Sequence, residues 1–99
     1  MAYTLTINGF IQEQKFHEFK QTTHQIFGKL SPDCTGYSIS KDVLNPNLYH
    51  LIMSWKDRNA CDFFLQSDSY KYLMSAFKVL GIIKSQTIGE STSLITESQ

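Results

Sequence analysis

The sequence has no surplus of charge of either sign: nine lysines and arginines meet nine aspartates and glutamates over 99 residues. A nucleic-acid binder normally presents a basic face, so no nucleic-acid partner is expected. Long apolar runs are missing too. No stretch approaches the roughly 18 residues that a membrane-spanning helix needs, and no membrane partner is expected. Met1 to Phe10 has neither a basic start nor a long apolar core, so no signal peptide is expected and the cytoplasm is the default location. Cysteine is scarce. Cys34 and Cys61 form no Cys-x-x-Cys pair and no local cluster with histidine, which points to two free thiols in a reducing compartment. There is no glycine-rich phosphate loop, Walker lysine, zinc-ligand spacing or serine-nucleophile elbow. The expectation is a protein with no metal and no cofactor.

What is present is a globular composition, 41% apolar and 18% charged, with thirteen aromatic residues. A chain of this length makes one domain, here residues 1–99, with one ordinary core. Residues Tyr3 to Phe10 alternate, with Tyr3, Leu5 and Ile7 on one face, and predict a strand. Gly9 marks a bulge or a close backbone approach near its end. From Gln14 to Leu30, Phe16, Phe19, Thr23, Ile26, Phe27 and Leu30 fall on one helical stripe. Ser31 and Pro32 end that helix. Cys34 to Val43 predicts a second strand and Leu48 to Trp55 a third, joined through the turn at Pro46. The third is nearly all apolar, which predicts burial on both faces. Asp57 is the expected N-cap of a second helix. Ser67, Asp68 and Ser69 interrupt it, and a new cap there starts a further segment with Tyr70, Leu73, Met74, Phe77 and Leu80 inward. Gly81 is the expected C′ residue. Ile82 to Ile88 predicts the last strand. The segment from about 90 to 99 reads as a tail or as an extra strand through Ser93 to Thr96 that reaches a neighbour.

Strand, helix, strand, strand, helix, strand is the ferredoxin-like βαββαβ plan of the α+β class, with both helices on one face of an antiparallel sheet. An uncovered apolar sheet face predicts a homodimer whose sheets pack together. An RNA-binding module of the same plan is excluded, because the third strand lacks the glycine–aromatic signature and no basic surplus exists.

The segment NPNLYHLIMSWKDRNACDFFLQSDSYKYLMSAFKVLG resembles the signature half of the antibiotic biosynthesis monooxygenase family. The shared pattern is a Pro-Asn turn and an apolar strand ending in Trp55, followed by the charged step of Lys56 and Asp57. A helix then carries Phe64, Leu65, Ser67 and Tyr70. GYSISKD, from Gly36 to Asp42, matches the family's second strand. The resemblance implies a dimeric α+β barrel and cofactor-independent oxidation of a small aromatic or quinol-type molecule. It also makes Phe64, nine residues after Trp55, a family site position and a substrate-binding candidate. The chain departs from its relatives at four positions. Phe64 and Ser69 stand where many members carry histidine, Met74 replaces the haem-degrading members' histidine, and Leu51 replaces an asparagine. Haem binding is therefore not expected.

Trp55 either walls an aromatic substrate or is a core tryptophan; alternation puts it with Tyr49, Leu51 and Met53 under the helices. Asn8 either bonds a substrate oxygen or ties the strand end to the turn near Gly9. His50, opposite in parity to Trp55, faces the partner, as a general base or as an interface histidine. Asn8 and His50 are the candidate catalytic residues. Trp55, Asn8, Tyr70 and Phe64 are the candidate substrate-binding residues. His17 and His24 belong to a solvated helix face, and Cys61 to an inert buried thiol. Two functions stay open: a cofactor-free monooxygenase, and a non-catalytic small-molecule-binding or structural homodimer.

Overall fold

A computed structural model of the chain describes residues 2–91. Strand β1 spans Ala2–Ile11 and a short 3-10 turn covers Glu13–Lys15. Then follow α1 (Phe16–Phe27), β2 (Cys34–Lys41), β3 (Leu48–Trp55), α2 (Arg58–Leu65), α3 (Asp68–Leu80) and β4 (Gly81–Ser91). The strands form one antiparallel sheet in the order β2-β3-β1-β4, the ferredoxin-like arrangement expected of the βαββαβ pattern.

The helices cover one face of that sheet. Leu5 and Ile7 of β1, with Tyr49, Leu51, Met53 and Trp55 of β3, meet Phe19, Phe27, Phe64, Leu73 and Phe77 from the helices in a single buried cluster. Phe16 of α1 stacks on Tyr49 of the sheet at 4.5 Å, and Phe19 meets Phe77 edge-on at 4.7 Å between α1 and α3. Such pairs add about 0.5–1.5 kcal/mol each beyond area burial.

Local chemistry sets the element ends. The Asp57 carboxylate accepts from the Ala60 N–H at 2.9 Å and opens α2. The Ser67 hydroxyl accepts from the Tyr70 N–H and opens α3, so the helical stretch breaks where the serines stand. Asp57→Ala is expected to cost about 1 kcal/mol, read as a lower urea midpoint with an unchanged slope.

Several expectations are corrected. The first helix is shorter than 14–30: residues 13–15 wind as 3-10, and α1 stops at Phe27, where Gly28 caps it. Strand β2 ends at Lys41 rather than Val43, because the Asp42 carboxylate captures the N–H groups of Leu44 and Asn45 and turns the chain. Gly81 is not a left-handed C′ residue. It is extended and opens β4, where a Cβ would stand 1.9 Å from the Phe10 carbonyl oxygen. Gly9 does combine a register shift with close approach; a Cβ there would meet the Phe77 ring at 2.8 Å. Strand β4 outlasts 82–88 and reaches Ser91; the expected strand through 93–96 lies outside the described residues.

The most consequential correction concerns the uncovered face. Burial along β3 alternates: Leu51, Met53 and Trp55 are buried, while His50, Ile52 and Ser54 are half-exposed. Cross-strand register surrounds Ile52 with Thr4, Thr6, Asn8, His50 and Ser38 on the same face. That face is rich in hydroxyls and amides rather than apolar.

Candidate functional site

The end of β3, the loop after α1 and the first turns of α2 line an open cavity of about 540 Å³. Trp55 and Phe64 line it, their rings stacked at 4.8 Å. Trp55 is buried where β3 meets α2, its ring against Phe64. The indole N–H has no hydrogen-bond partner among the described residues, although Trp55 is only 1% exposed. A buried donor left unpaired costs about 1–3 kcal/mol, so this N–H is an anomaly on the aromatic side of the cavity. Tyr70 extends the aromatic row, edge-on to Phe64 at 5.7 Å. Its hydroxyl donates to Gln86 Oε1 at 2.7 Å, which spends the phenol on β4 rather than on the cavity.

Charge gathers on the cavity wall. Lys56 Nζ lies 3.1 Å from Asp33 Oδ1, and this contact pushes the lysine's pKa up. Asp57 also lines the wall, but its carboxylate is committed to α2. Asp33 and Lys29 had no signal in the sequence beyond lying near the helix end.

A second cluster occupies the uncovered face. His50 Nδ1 lies 2.6 Å from Asn8 Oδ1, and His50 Nε2 lies 2.9 Å from Asp42 Oδ1. Asn8 Nδ2 donates to Ser85 Oγ at 2.9 Å. The register pairs Asn8 directly with both His50 and Ser85, which is why these side chains meet. The imidazole of His50, with the amide and backbone donors of Asn45 and Leu44, holds the Asp42 carboxyl down at about 2. Its folded value lies below the ordinary 3.8, so its contribution to stability is complete above that pH and is lost as pH falls through about 2. Asp42→Asn is therefore expected to flatten the acid limb. Urea midpoints of the two proteins measured from about pH 5 down to about pH 2 should converge at the acid end.

The structure thus brings the candidates together in two groups and puts the sheet between them. Trp55, Phe64 and Tyr70 lie under the helices; Asn8 and His50 lie on the other side. The sequence did not single out Asp42 or Ser85 as site residues, since their contacts depend on strand register. His17 and His24 are exposed on α1. Both cysteines are free, and burial pushes both thiols up, which disfavours the reactive thiolate. Among the described residues no group of three histidine, cysteine or acidic side chains is placed to hold a metal ion.

The family model described as antibiotic biosynthesis monooxygenase matches residues 10–75, two-thirds of the chain. The chain belongs to the antibiotic biosynthesis monooxygenase family. The match runs from the end of β1 into α3 and includes His50, Trp55, Phe64 and Tyr70; Asn8 lies before it. Solved structures with this fold include a Deinococcus radiodurans protein described as a candidate antibiotic biosynthesis monooxygenase. It is 17% identical, with 94% of each chain covered and a TM-score of 0.76. A variant of SnoaB, a cofactor-independent oxygenase from Streptomyces nogalater, is 15% identical over 93% of this chain and 94% of its own, with a TM-score of 0.75. A conserved protein from Methanosarcina mazei Go1 is 19% identical, covering 90% of this chain and 89% of its own, at 0.68. At these identities the likeness is one of fold. No curated protein sequence matches the chain.

Proposed function

We propose that the protein is a cofactor-independent monooxygenase of a small, flat, electron-rich aromatic substrate, a quinol or an anthrone, bound in the Trp55 cavity. The observation that carries this reading is the unpaired, buried indole N–H on an aromatic wall beside a cavity of about 540 Å³. An aromatic side that carries an unpaired donor suits a planar ring bearing an oxygen. The N–H is shielded from water, so a substrate oxygen reaches it only as the wall opens. Asp33, on the cavity wall, is then the proposed acceptor of the substrate proton.

For an anthrone the balance closes without a cofactor. Loss of a proton gives the electron-rich anion, which reduces dioxygen. One oxygen atom becomes the new ring carbonyl, and the other leaves as water with the two hydrogens of the oxidised CH2 carbon. All the electrons come from the substrate. The protein supplies orientation, a proton acceptor and a donor for the developing oxyanion.

The reading takes residues 1–99 as a single domain that works as a cytoplasmic homodimer, paired through the uncovered sheet face. Sedimentation at micromolar concentration is expected to give the dimer mass; a monomer would remove that part. A non-catalytic binding dimer is favoured by one observation: His50 stands across the sheet from the cavity with both ring nitrogens engaged. Oxygen uptake over a panel of quinols and anthrones separates the two. Uptake above the uncatalysed rate supports the oxygenase, and saturable binding without uptake supports the binding protein.

A further inference from the structure

Both ring nitrogens of His50 face oxygen atoms, Asp42 Oδ1 on one side and Asn8 Oδ1 on the other. A neutral imidazole carries one N–H, whereas an imidazolium carries two. Oxygen on both sides is the arrangement that a protonated ring satisfies with two donors. We propose that Asp42, His50, Asn8 and Ser85 form a proton-controlled hydrogen-bond switch across the uncovered sheet face, in which one proton on His50 decides which way the Asn8 amide points.

Two states share the same heavy-atom layout. With His50 protonated, Nδ1–H donates to Asn8 Oδ1, and Asn8 Nδ2 donates to Ser85 Oγ. Ser85 then accepts from within, and its own O–H is free to donate outward. When His50 loses the proton, Nε2–H stays on the Asp42 carboxylate and Nδ1 becomes an acceptor. Keeping Asn8 Oδ1 against it would set two lone pairs face to face at 2.6 Å. A half-turn of the amide removes the conflict: Nδ2 now donates to Nδ1, and Oδ1 accepts from the Ser85 hydroxyl. Ser85 is left with only lone pairs to offer outward.

The chain of bonds crosses the whole sheet. Asp42 follows β2, His50 is on β3, Asn8 on β1 and Ser85 on β4, the spatial order of the strands. Few other charges bear on it among the described residues. Ser40 lies opposite His50 on β2 and is neutral. Lys84 of β4 sits over the Phe10 ring at 5.5 Å. Asp42 keeps its charge in both states, since its carboxyl ionises far below the range in which histidines titrate. The change at Ser85 from donor to acceptor alters what any partner meets on this face, a second copy of the chain included. The switch itself does not depend on that pairing, nor on the oxygenase reading.

Isotope-labelled full-length protein tests it by NMR between about pH 5 and about pH 9, a range that spans histidine titration. The Asn8 side-chain amide protons are expected to show cross-peaks to the Ser85 β-protons at low pH. At high pH the cross-peaks should move to the His50 Hε1, with the same midpoint as the His50 ring nitrogens. A field effect alone would shift the signals without exchanging these neighbours. In His50→Gln the Asn8 contacts should become independent of pH. The same Asn8 neighbours at both ends of the range would overturn the proposal, as would a His50 ring that does not titrate within it.

Discussion

Gly81→Ala is expected to be among the most damaging single-methyl substitutions in the protein. A Cβ at this position stands 1.9 Å from the Phe10 carbonyl oxygen and 2.7 Å from Ile11 Cδ1. The first of these is backbone paired in the β1–β4 ladder, one residue from its end, so it cannot swing aside as a side chain would. Relief requires the strands to part where α3 turns directly into β4. The cost is set at the upper end of overpacking, about 3 kcal/mol. For a domain of this length that is a fall of about 10–20 °C in Tm. Gly9→Ala meets the Phe77 ring at 2.8 Å and the Ile82 carbonyl at 3.0 Å, and should be milder because the ring can tilt. Gly36→Ala and Gly89→Ala meet nothing within 4 Å and serve as controls. Thermal unfolding of the four variants checks the order. Wild-type stability in Gly81→Ala would mean that β4 does not begin against Phe10.

Trp55 is expected to divide stability from function. Trp55→Ala removes a ring that is 1% exposed and stacked on Phe64, and should cost about 3–5 kcal/mol. Trp55→Phe keeps an aromatic ring against Phe64. It loses some volume but also deletes the unpaired N–H, whose burial is itself unfavourable by about 1–3 kcal/mol. The two effects oppose each other, and the net loss should stay near 1 kcal/mol. Binding of a phenolic ligand should nonetheless weaken about tenfold or more in Trp55→Phe, because the donor is gone. Urea titration measures the first quantity and equilibrium titration with the ligand the second. Equal affinity in the two proteins would mean that the indole is core packing alone.

The legible and illegible parts of this structure differ in physical range. Asp57 and Ser67 announce helix starts through their own neighbours three residues on, so the sequence carries that information locally. Gly9 and the odd-numbered residues of β3 were readable for the same reason. The polarity of the uncovered face was not. It follows from which residues of β1 and β2 stand opposite Ile52, and register is a non-local property. The pairing of Asn8 with His50 across 42 positions, and of Asn8 with Ser85 across 77, has the same origin. The end of β2 was missed because a single carboxylate, Asp42, outcompetes the ladder for the next N–H groups. Of the candidate site, Trp55 was legible as the end of an apolar strand, and Phe64 and Tyr70 as members of two helical segments. Their separation by the sheet from Asn8 and His50 required the fold.

The protein has a single tryptophan, so its indole N–H gives one resolved signal in a proton–nitrogen spectrum. Anaerobic titration with a quinol or an anthrone, followed by that signal and by the Asn8 side-chain amide, asks directly where the aromatic binds. Binding in the cavity should move the Trp55 indole signal downfield in a saturable way and leave Asn8 in place. Saturable movement of Asn8 with a stationary indole would put the ligand on the opposite face of the sheet and contradict the assignment of the site.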